Sequence, residues 1–230
     1  MNILDKCRKI LNESEVDFNP LFTSPFSMIL AGCSGAGKTK FVTDFFNNQE
    51  NLMTTKFDKI IWCSRFHQNE LKNELKNLKV EYIKNEIPTI DTLLKKKKTE
   101  KINNLCLVVD DLQHLMTKSD DCGQLFTSAR HAHVTIFYLC QNLFKQGGSA
   151  MDIKINTTYI VIFKNLHNCI QVKLLFQRCS EDWKKIWEIY LDATKKPHGY
   201  LLLDFRQNRH ELLAYRTQLS DFLQIGYRII

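Results

Sequence analysis

The sequence predicts an α/β fold: a mostly parallel central sheet flanked by helices, in one domain over 1–230, with residues 1–25 as a lead-in. Three observations predict it. An apolar run, Met28–Ala31, leads into Gly32-Cys33-Ser34-Gly35-Ala36-Gly37-Lys38-Thr39, which fits the phosphate-loop pattern GxxxxGK[ST]. Helically spaced Phe41, Val42, Phe45 and Phe46 follow, so the loop joins a strand to a helix as a P-loop NTPase requires. A second apolar run, Leu105–Val109, ends in Asp110-Asp111, the pattern of a buried parallel strand with acids at its C-terminal end. Further strand-like runs then alternate with helical periodicity, which means βαβ units.

The elements follow in order. Leu4, Cys7, Ile10 and Leu11 have near-helical spacing in the lead-in, and Pro20 and Pro25 punctuate an extended approach to the first strand. Phe57–Ser64 reads as a buried strand. Leu71, Leu75 and Leu78 suggest a surface helix, and Val80–Ile83 a short strand. Pro88 ends that piece, and another helix begins over Ile90–Leu94. Residues 112–133 read as helical with a polar break at Asp120–Gly123, and Val134–Cys140 as a buried strand. Thr157–Lys164 is a strand, and a helix covers Gln171–Arg178. Ser180 is placed to N-cap an amphipathic helix carrying Trp183, Ile186, Trp187 and Tyr190 as core packing. Pro197-His198-Gly199 is a turn. Tyr200–Phe205 is the final strand candidate, partnered by Glu211–Thr217.

Composition narrows the class. Of the 230 residues, 44% are hydrophobic and 25% charged, which describes a globular chain. No apolar run has the length of a bilayer span, so no membrane partner is expected. Met1–Lys6 has no signal-peptide layout. None of the eight cysteines form CxxC pairs, and Cys63, Cys106 and Cys140 lie in apolar runs as small hydrophobes. A reducing intracellular setting follows. The net charge of +7 suits a polyanionic partner or plain solubility. Its densest run, Lys95–Lys98, reads either as a solvated loop or helix end or as a contact to a nucleic-acid backbone.

The two motifs carry chemistry. The glycines let loop N–H groups converge on phosphate oxygens, and the helix starting near Gly37 adds unpaired N–H groups. Lys38 then reaches the β- and γ-phosphates of ATP, and the Thr39 hydroxyl ligates Mg²⁺. Cys33 sits within this loop, where a lowered pKa would make its thiol reactive. Asp110 is placed to hold Mg²⁺ directly or through water, and Asp111 to orient or deprotonate the attacking water. The alternative is a strand followed by a plain Asp-Asp turn. Gln141, at the tip of the Val134–Cys140 strand, is placed to touch a γ-phosphate or its water, or to cap the next helix.

Gln124–Phe144, with Ala129-Arg130-His131 before a strand that ends in Gln141, resembles the RecA-like FtsK–HerA group of DNA-pumping ATPases. The resemblance implies that Arg130 acts as a finger on the neighbouring subunit's nucleotide. A closer resemblance is to the genome-packaging ATPases of poxvirus-like viruses and Polinton/Maverick-type elements. It is carried by Asp110-Asp111, Gln141-Asn142-Leu143-Phe144 and Asp192–Asp204, and runs from Pro25 to Thr217. It implies ATP hydrolysis that drives double-stranded DNA into a capsid, a ring-shaped homo-oligomer, capsid proteins as partners, and a place in the host cytoplasm or nucleus or with the virion. Many relatives in the wider superfamily have Asp-Glu where this chain has Asp-Asp. Two other classes compete. A nucleotide kinase needs an arginine-rich lid and an acceptor pocket, and a non-enzymatic nucleotide switch needs no water-positioning groups.

Overall fold

A computed structural model describes residues 19–65, 69–116, 120–141, 157–165, 169–219 and 224–229. The expected helix on Leu4, Cys7, Ile10 and Leu11, and the segment Asn142–Phe144, lie outside the described residues.

The first half reads β1 (Ser27–Ala31), α1 (Lys38–Asn47), α2 (Gln49–Leu52), β2 (Lys59–Ser64), α3 (Asn69–Glu74), β3 (Val80–Lys84), α4 (Ile90–Glu100) and β4 (Leu105–Asp110). The second half reads α5 (Gln113–Met116), α6 (Asp120–Ala129), β5 (Val134–Cys140), β6 (Tyr159–Phe163), α7 (Cys169–Cys179), α8 (Trp183–Ala193), β7 (Tyr200–Asp204), β8 (Tyr215–Thr217) and β9 (Ile225–Tyr227). The strands join one sheet in the order β3-β2-β4-β5-β1-β6-β7-β8-β9. Pairing is parallel from β3 to β6. From β6 to β9 it is antiparallel.

Strand alternation divides the core between the two faces of the sheet. Met28 and Leu30 of β1, with Phe137 and Leu139 of β5, pack with Phe41, Val42, Phe45 and Phe46 of α1. Ile29 and Ala31, with Ile136 and Tyr138, pack with Leu93 of α4, Phe126 of α6, Phe176 of α7 and Ile186 of α8. The four α1 residues fall at i, i+1, i+4 and i+5, so one stripe of the helix is apolar, and its rings meet Phe137 edge-on at 5.2 and 5.3 Å. Cys63, Cys106 and Cys140 are buried in this core. Burial pushes the Cys63 thiol up to about 12, so it packs as a neutral hydrophobe.

Four expectations are corrected. The Asp120–Gly123 stretch is not a break but the start of α6. Ser180 does not cap α8: Asp182 is the N-cap, and the Ser180 hydroxyl accepts from the Asp182 N–H at 3.1 Å in the turn before it. Tyr200–Asp204 is not the final strand. Only Tyr215–Thr217 of the expected partner pairs with it, while Glu211–Leu213 forms a 3-10 turn whose Leu212 N–H donates to His210 Nδ1 at 3.2 Å. The terminal strand β9 then adds to β8.

The lysine run is also more structural than a solvated helix end. It lies inside α4, and Lys96 pairs with Glu81 at 2.7 Å. Lys97 Nζ donates to the carbonyls of Ala132 and His133 at 3.0 and 2.8 Å, tying α4 to the turn before β5. Lys95 and Lys98 are exposed.

The antiparallel end of the sheet is fastened by a buried ion cluster. Asp204 accepts from Arg206 Nη2 at 2.8 Å and from Arg216 Nη2 at 3.3 Å. Arg216 is 1% exposed and also donates to the Pro20 carbonyl at 2.7 Å. Removing the acid would strand a buried guanidinium, so Asp204→Ala should destabilise the fold by about 3–5 kcal/mol. Urea unfolding followed by circular dichroism reads this, and a loss below about 1 kcal/mol, the worth of an exposed pair, would sink it.

Candidate nucleotide site

The site forms where β1, β4 and β5 end side by side. Parallel pairing aligns their C-termini, with Ala31 opposite Cys140 and Asp110 opposite Leu139. The loop that leaves β1 starts against β5, where the Gly32 N–H donates to the Cys140 carbonyl at 3.2 Å. A Cβ on Gly32 would stand 2.8 Å from Phe163 Cβ, so only glycine lets the loop leave β1 this close to β6. Gly37 closes the loop at φ +100° as the N-cap of α1, a conformation that glycine adopts without strain. Among the described residues of this loop, Cys33 and Gly37 are half-buried, while Ser34 and Gly35 are exposed.

Lys38 and Thr39 open α1 and project over this loop. Lys38 Nζ donates to the Gly32 and Cys33 carbonyls at 2.7 and 2.9 Å. Burial lowers its pKa, and the carboxylates of Asp110 and Asp111 are among the groups that oppose that shift. The Thr39 hydroxyl points at Asp110 Oδ2 across 3.5 Å. Asp110 is 6% exposed, and burial pushes its carboxyl up to about 6 despite the counteracting Lys38 charge. The neighbouring Asp111 adds to the upward shift. The buried indole N–H of Trp62, on the adjacent strand β2, makes no hydrogen bond of good geometry, yet it stands close enough to favour the charged Asp110.

Asp111 turns away from the strand at φ 54°. Its side chain is exposed, and its Oδ1 accepts from Gln141 Nε2 at 3.3 Å. The tips of β4 and β5 are thereby joined through the two groups expected to handle water. The structure thus brings together the loop from Gly32 to Thr39, Asp110, Asp111 and Gln141. A hydroxyl beside one buried carboxylate is a hard oxygen pair of the kind that Mg²⁺ takes alongside substrate phosphates. Among the described residues, no group of three or more His, Cys, Asp or Glu forms an all-protein metal cage.

Arg130 is not brought to this cluster. It follows α6 in the turn that feeds the N-terminal end of β5, is exposed, and accepts the His133 N–H on its carbonyl at 3.2 Å. The seven residues of β5 separate that turn from the phosphate loop, roughly 20 Å at the rise of a parallel strand. Two residues, one beside the site and one at the distant Arg130 turn, carry no signal in sequence. Trp62 reads as one more apolar position in β2. Lys97, which holds the Arg130 turn, reads as one lysine in a charged run.

Residues 13–174 match the family model of the poxvirus A32 protein, well over half of the chain. The chain belongs to the poxvirus A32 family. A search of curated protein sequences gives no match. Among solved structures, the genome packaging NTPase B204 of Sulfolobus turreted icosahedral virus 2 is similar in fold. With sulfate bound, B204 superposes at TM-score 0.57 and 14% identity, over 92% of this chain and 98% of that one. In complex with ATP-gammaS it superposes at TM-score 0.55 and 15% identity, over 83% and 95%. EssC (ATPases 2 and 3) of Geobacillus thermodenitrificans matches at TM-score 0.51 and 12% identity, over 84% of this chain and 39% of that one. The chain therefore has the P-loop NTPase fold that its motifs predict, with the architecture of B204. Among the described residues, no helix is long and apolar enough to cross a membrane.

Proposed function

We propose that this chain is an ATPase motor that hydrolyses ATP to ADP and phosphate and uses the energy to move double-stranded DNA into viral capsids. The observation that carries it is the meeting of loop, Asp110, Asp111 and Gln141 at the C-terminal ends of the central strands in a chain of the poxvirus A32 family. The site supports a division of labour. Loop N–H groups beyond Gly32, whose own N–H donates to the Cys140 carbonyl, together with the side chain of Lys38 and the N-terminus of α1 hold the phosphates. Thr39 and Asp110 would hold Mg²⁺, which neutralises phosphate charge when bound. Asp111 takes the proton from the attacking water, and Gln141, tied to it at 3.3 Å, orients that water. A nucleotide kinase shares the loop but has no use for a water held between an acid and an amide.

Arg130 cannot reach the nucleotide of its own chain, so a finger role requires a neighbour and hence a ring. Capsid proteins are the partners such a ring docks on, in the infected cell or the virion. The test is ATPase turnover with and without duplex DNA, alongside the mass of the assembly. DNA-stimulated turnover by a ring-sized species is the expected result. Turnover indifferent to DNA, or a monomer with ATP and DNA present, would overturn the motor.

Two substitutions separate the paired acids. Asp111→Asn should leave Mg·ATP bound and stop hydrolysis, because an amide accepts no proton. Asp110→Asn should weaken the metal site itself, because the ion needs a charged oxygen. Nucleotide affinity at varied Mg²⁺, with single-turnover hydrolysis, distinguishes them. Normal hydrolysis by Asp111→Asn would place the base elsewhere.

A further inference from the structure

The lysines of α4 divide into two sets. Lys96 and Lys97 are tied into the fold, through Glu81 and through the carbonyls before β5. Lys95 and Lys98 are exposed, and so is Lys101, which ends the helix at φ 54°. The three fall at i, i+3 and i+6, so they make one stripe on the exposed side of α4, about 9 Å along its axis. The acids around them are already taken. Glu81 pairs with Lys59 and with Lys96, each at 2.7 Å. Glu100 pairs with Lys59 at 2.6 Å and with Lys96 at 3.4 Å. Asp58 accepts the Asn103 and Asn104 N–H groups at 2.9 and 2.8 Å. Asp91, the other acid of α4, lies in its first turn, at the far end of the helix. Among the described residues, no carboxylate pairs with Lys95, Lys98 or Lys101.

The stripe lies away from the nucleotide site. α4 ends where β4 begins, so its C-terminus meets the N-terminal edge of the sheet. Parallel pairing sets the strand starts side by side there, with Ile60 opposite Val80, Lys59 opposite Leu105 and Leu105 opposite Val134. Lys79, exposed just before β3, adds a further cation at this edge. Arg130 stands there too, with the neighbouring nucleotide as its proposed partner. Asp110 and the phosphate loop are at the opposite edge, across the six residues of β4, roughly 20 Å at the rise of a parallel strand. A second polyanion, not the nucleotide of the same chain, is therefore what this surface fits.

We propose that Lys95, Lys98 and Lys101 form a surface that grips the phosphate backbone of duplex DNA. The inference rests on the motor reading above and assigns the grip to one helix. Duplex DNA carries one charge per about 1.7 Å of its axis, and each ammonium that replaces a condensed counterion gains affinity by releasing it. Such contacts position the duplex and carry no sequence information, which suits a motor that must move any sequence. Single strands are held differently, by stacking their bases on exposed rings. Among the described residues the exposed large apolar side chains are Ile170, Leu174, Leu191, Phe205 and Ile225, and none of them lies on α4 or the turns beside it. Charge without rings favours the duplex.

The test is the anisotropy of a fluorescent duplex of random sequence, titrated with the chain at varied salt, with Mg²⁺ and a non-hydrolysable ATP analogue present. Lys95→Gln, Lys98→Gln and Lys101→Gln combined should weaken the duplex on the order of a hundredfold at about 0.1 M salt and flatten the salt slope by about 2.7. ATP affinity should stay as in wild type. A control chain loses three exposed lysines elsewhere, by Lys72→Gln, Lys184→Gln and Lys196→Gln. Equal weakening by the control set would make the effect one of net charge and overturn the assignment. If wild type and the α4 variant bind duplex alike and their turnover rises alike with it, the motor reading stands and the α4 surface alone falls. If wild type binds no duplex, both fall. Acetylation of lysines in the wild-type chain, with and without duplex, is free of any folding defect in a variant. Protection of Lys95, Lys98 and Lys101 by the duplex supports the surface, and equal acetylation with and without it overturns it.

Discussion

Lys38→Ala abolishes tight ATP binding and turnover together. The ammonium is half-buried at the head of α1 and donates to the Gly32 and Cys33 carbonyls at 2.7 and 2.9 Å, so it is held over the loop whose N–H groups face the phosphates. Charge-assisted hydrogen bonds contribute about 1.5–3 kcal/mol each. Losing two to the β- and γ-phosphates should therefore weaken ATP by roughly a hundredfold or more. A second effect acts in the same direction. Lys38 is the largest influence holding the Asp110 carboxyl down, and with Lys38 gone that carboxyl rises above its present value of about 6. The acid that should face Mg²⁺ then carries more proton near neutral pH. Titration with a fluorescent nucleotide reads affinity, and phosphate release reads turnover. Circular dichroism should be unchanged, because the substitution leaves the strand and helix packing intact. Unchanged affinity would remove the phosphate-loop assignment and the readings built on it.

The strands that carry the site were the legible ones, for a physical reason. β1, β4 and β5 lie at the centre of the sheet and are buried on both faces, so each is a near-continuous apolar run that no helix of a small domain would need. Val134–Cys140 has the bounds its apolar run predicts. The motif residues were legible because a phosphate loop must follow one such strand and paired acids must end another. Elements shaped by tertiary partners were not. Ile225–Tyr227 is three residues long, too short to show a period, and exists because β8 offers it an edge. Glu211–Leu213 has strand-like composition but takes a tight turn capped by His210. Asp204 lies within the Tyr200–Phe205 strand candidate with nothing in sequence to mark it, while its burial against Arg206 and Arg216 joins positions far apart in the chain, Pro20 included. Lys97 illustrates the same limit: charge is visible in a sequence, and the two carbonyls that absorb it are not.

Arg130→Ala should cut turnover by on the order of a thousandfold while leaving ATP affinity nearly intact. A finger stabilises charge that develops only in the transition state, so its removal acts on the chemical step. Geometry makes the prediction sharper than motif position alone. Arg130 is exposed at the N-terminal end of β5, and the phosphate loop lies at the C-terminal end of the parallel neighbour β1. A side chain cannot span that separation within one chain, so an effect of this size requires the nucleotide of a neighbouring chain. The turn is also held for such a task, because Lys97 fastens the Ala132 and His133 carbonyls behind it. An ordinary surface arginine would behave differently, and its loss would change little. Mixing decides between them. Arg130→Ala chains and Lys38→Ala chains are each inactive alone. In a mixed ring, a site with intact Lys38 can face a neighbour with intact Arg130, so partial turnover returns. Full turnover by Arg130→Ala alone, or no recovery in mixed rings shown to form by native mass spectrometry, would sink the trans role.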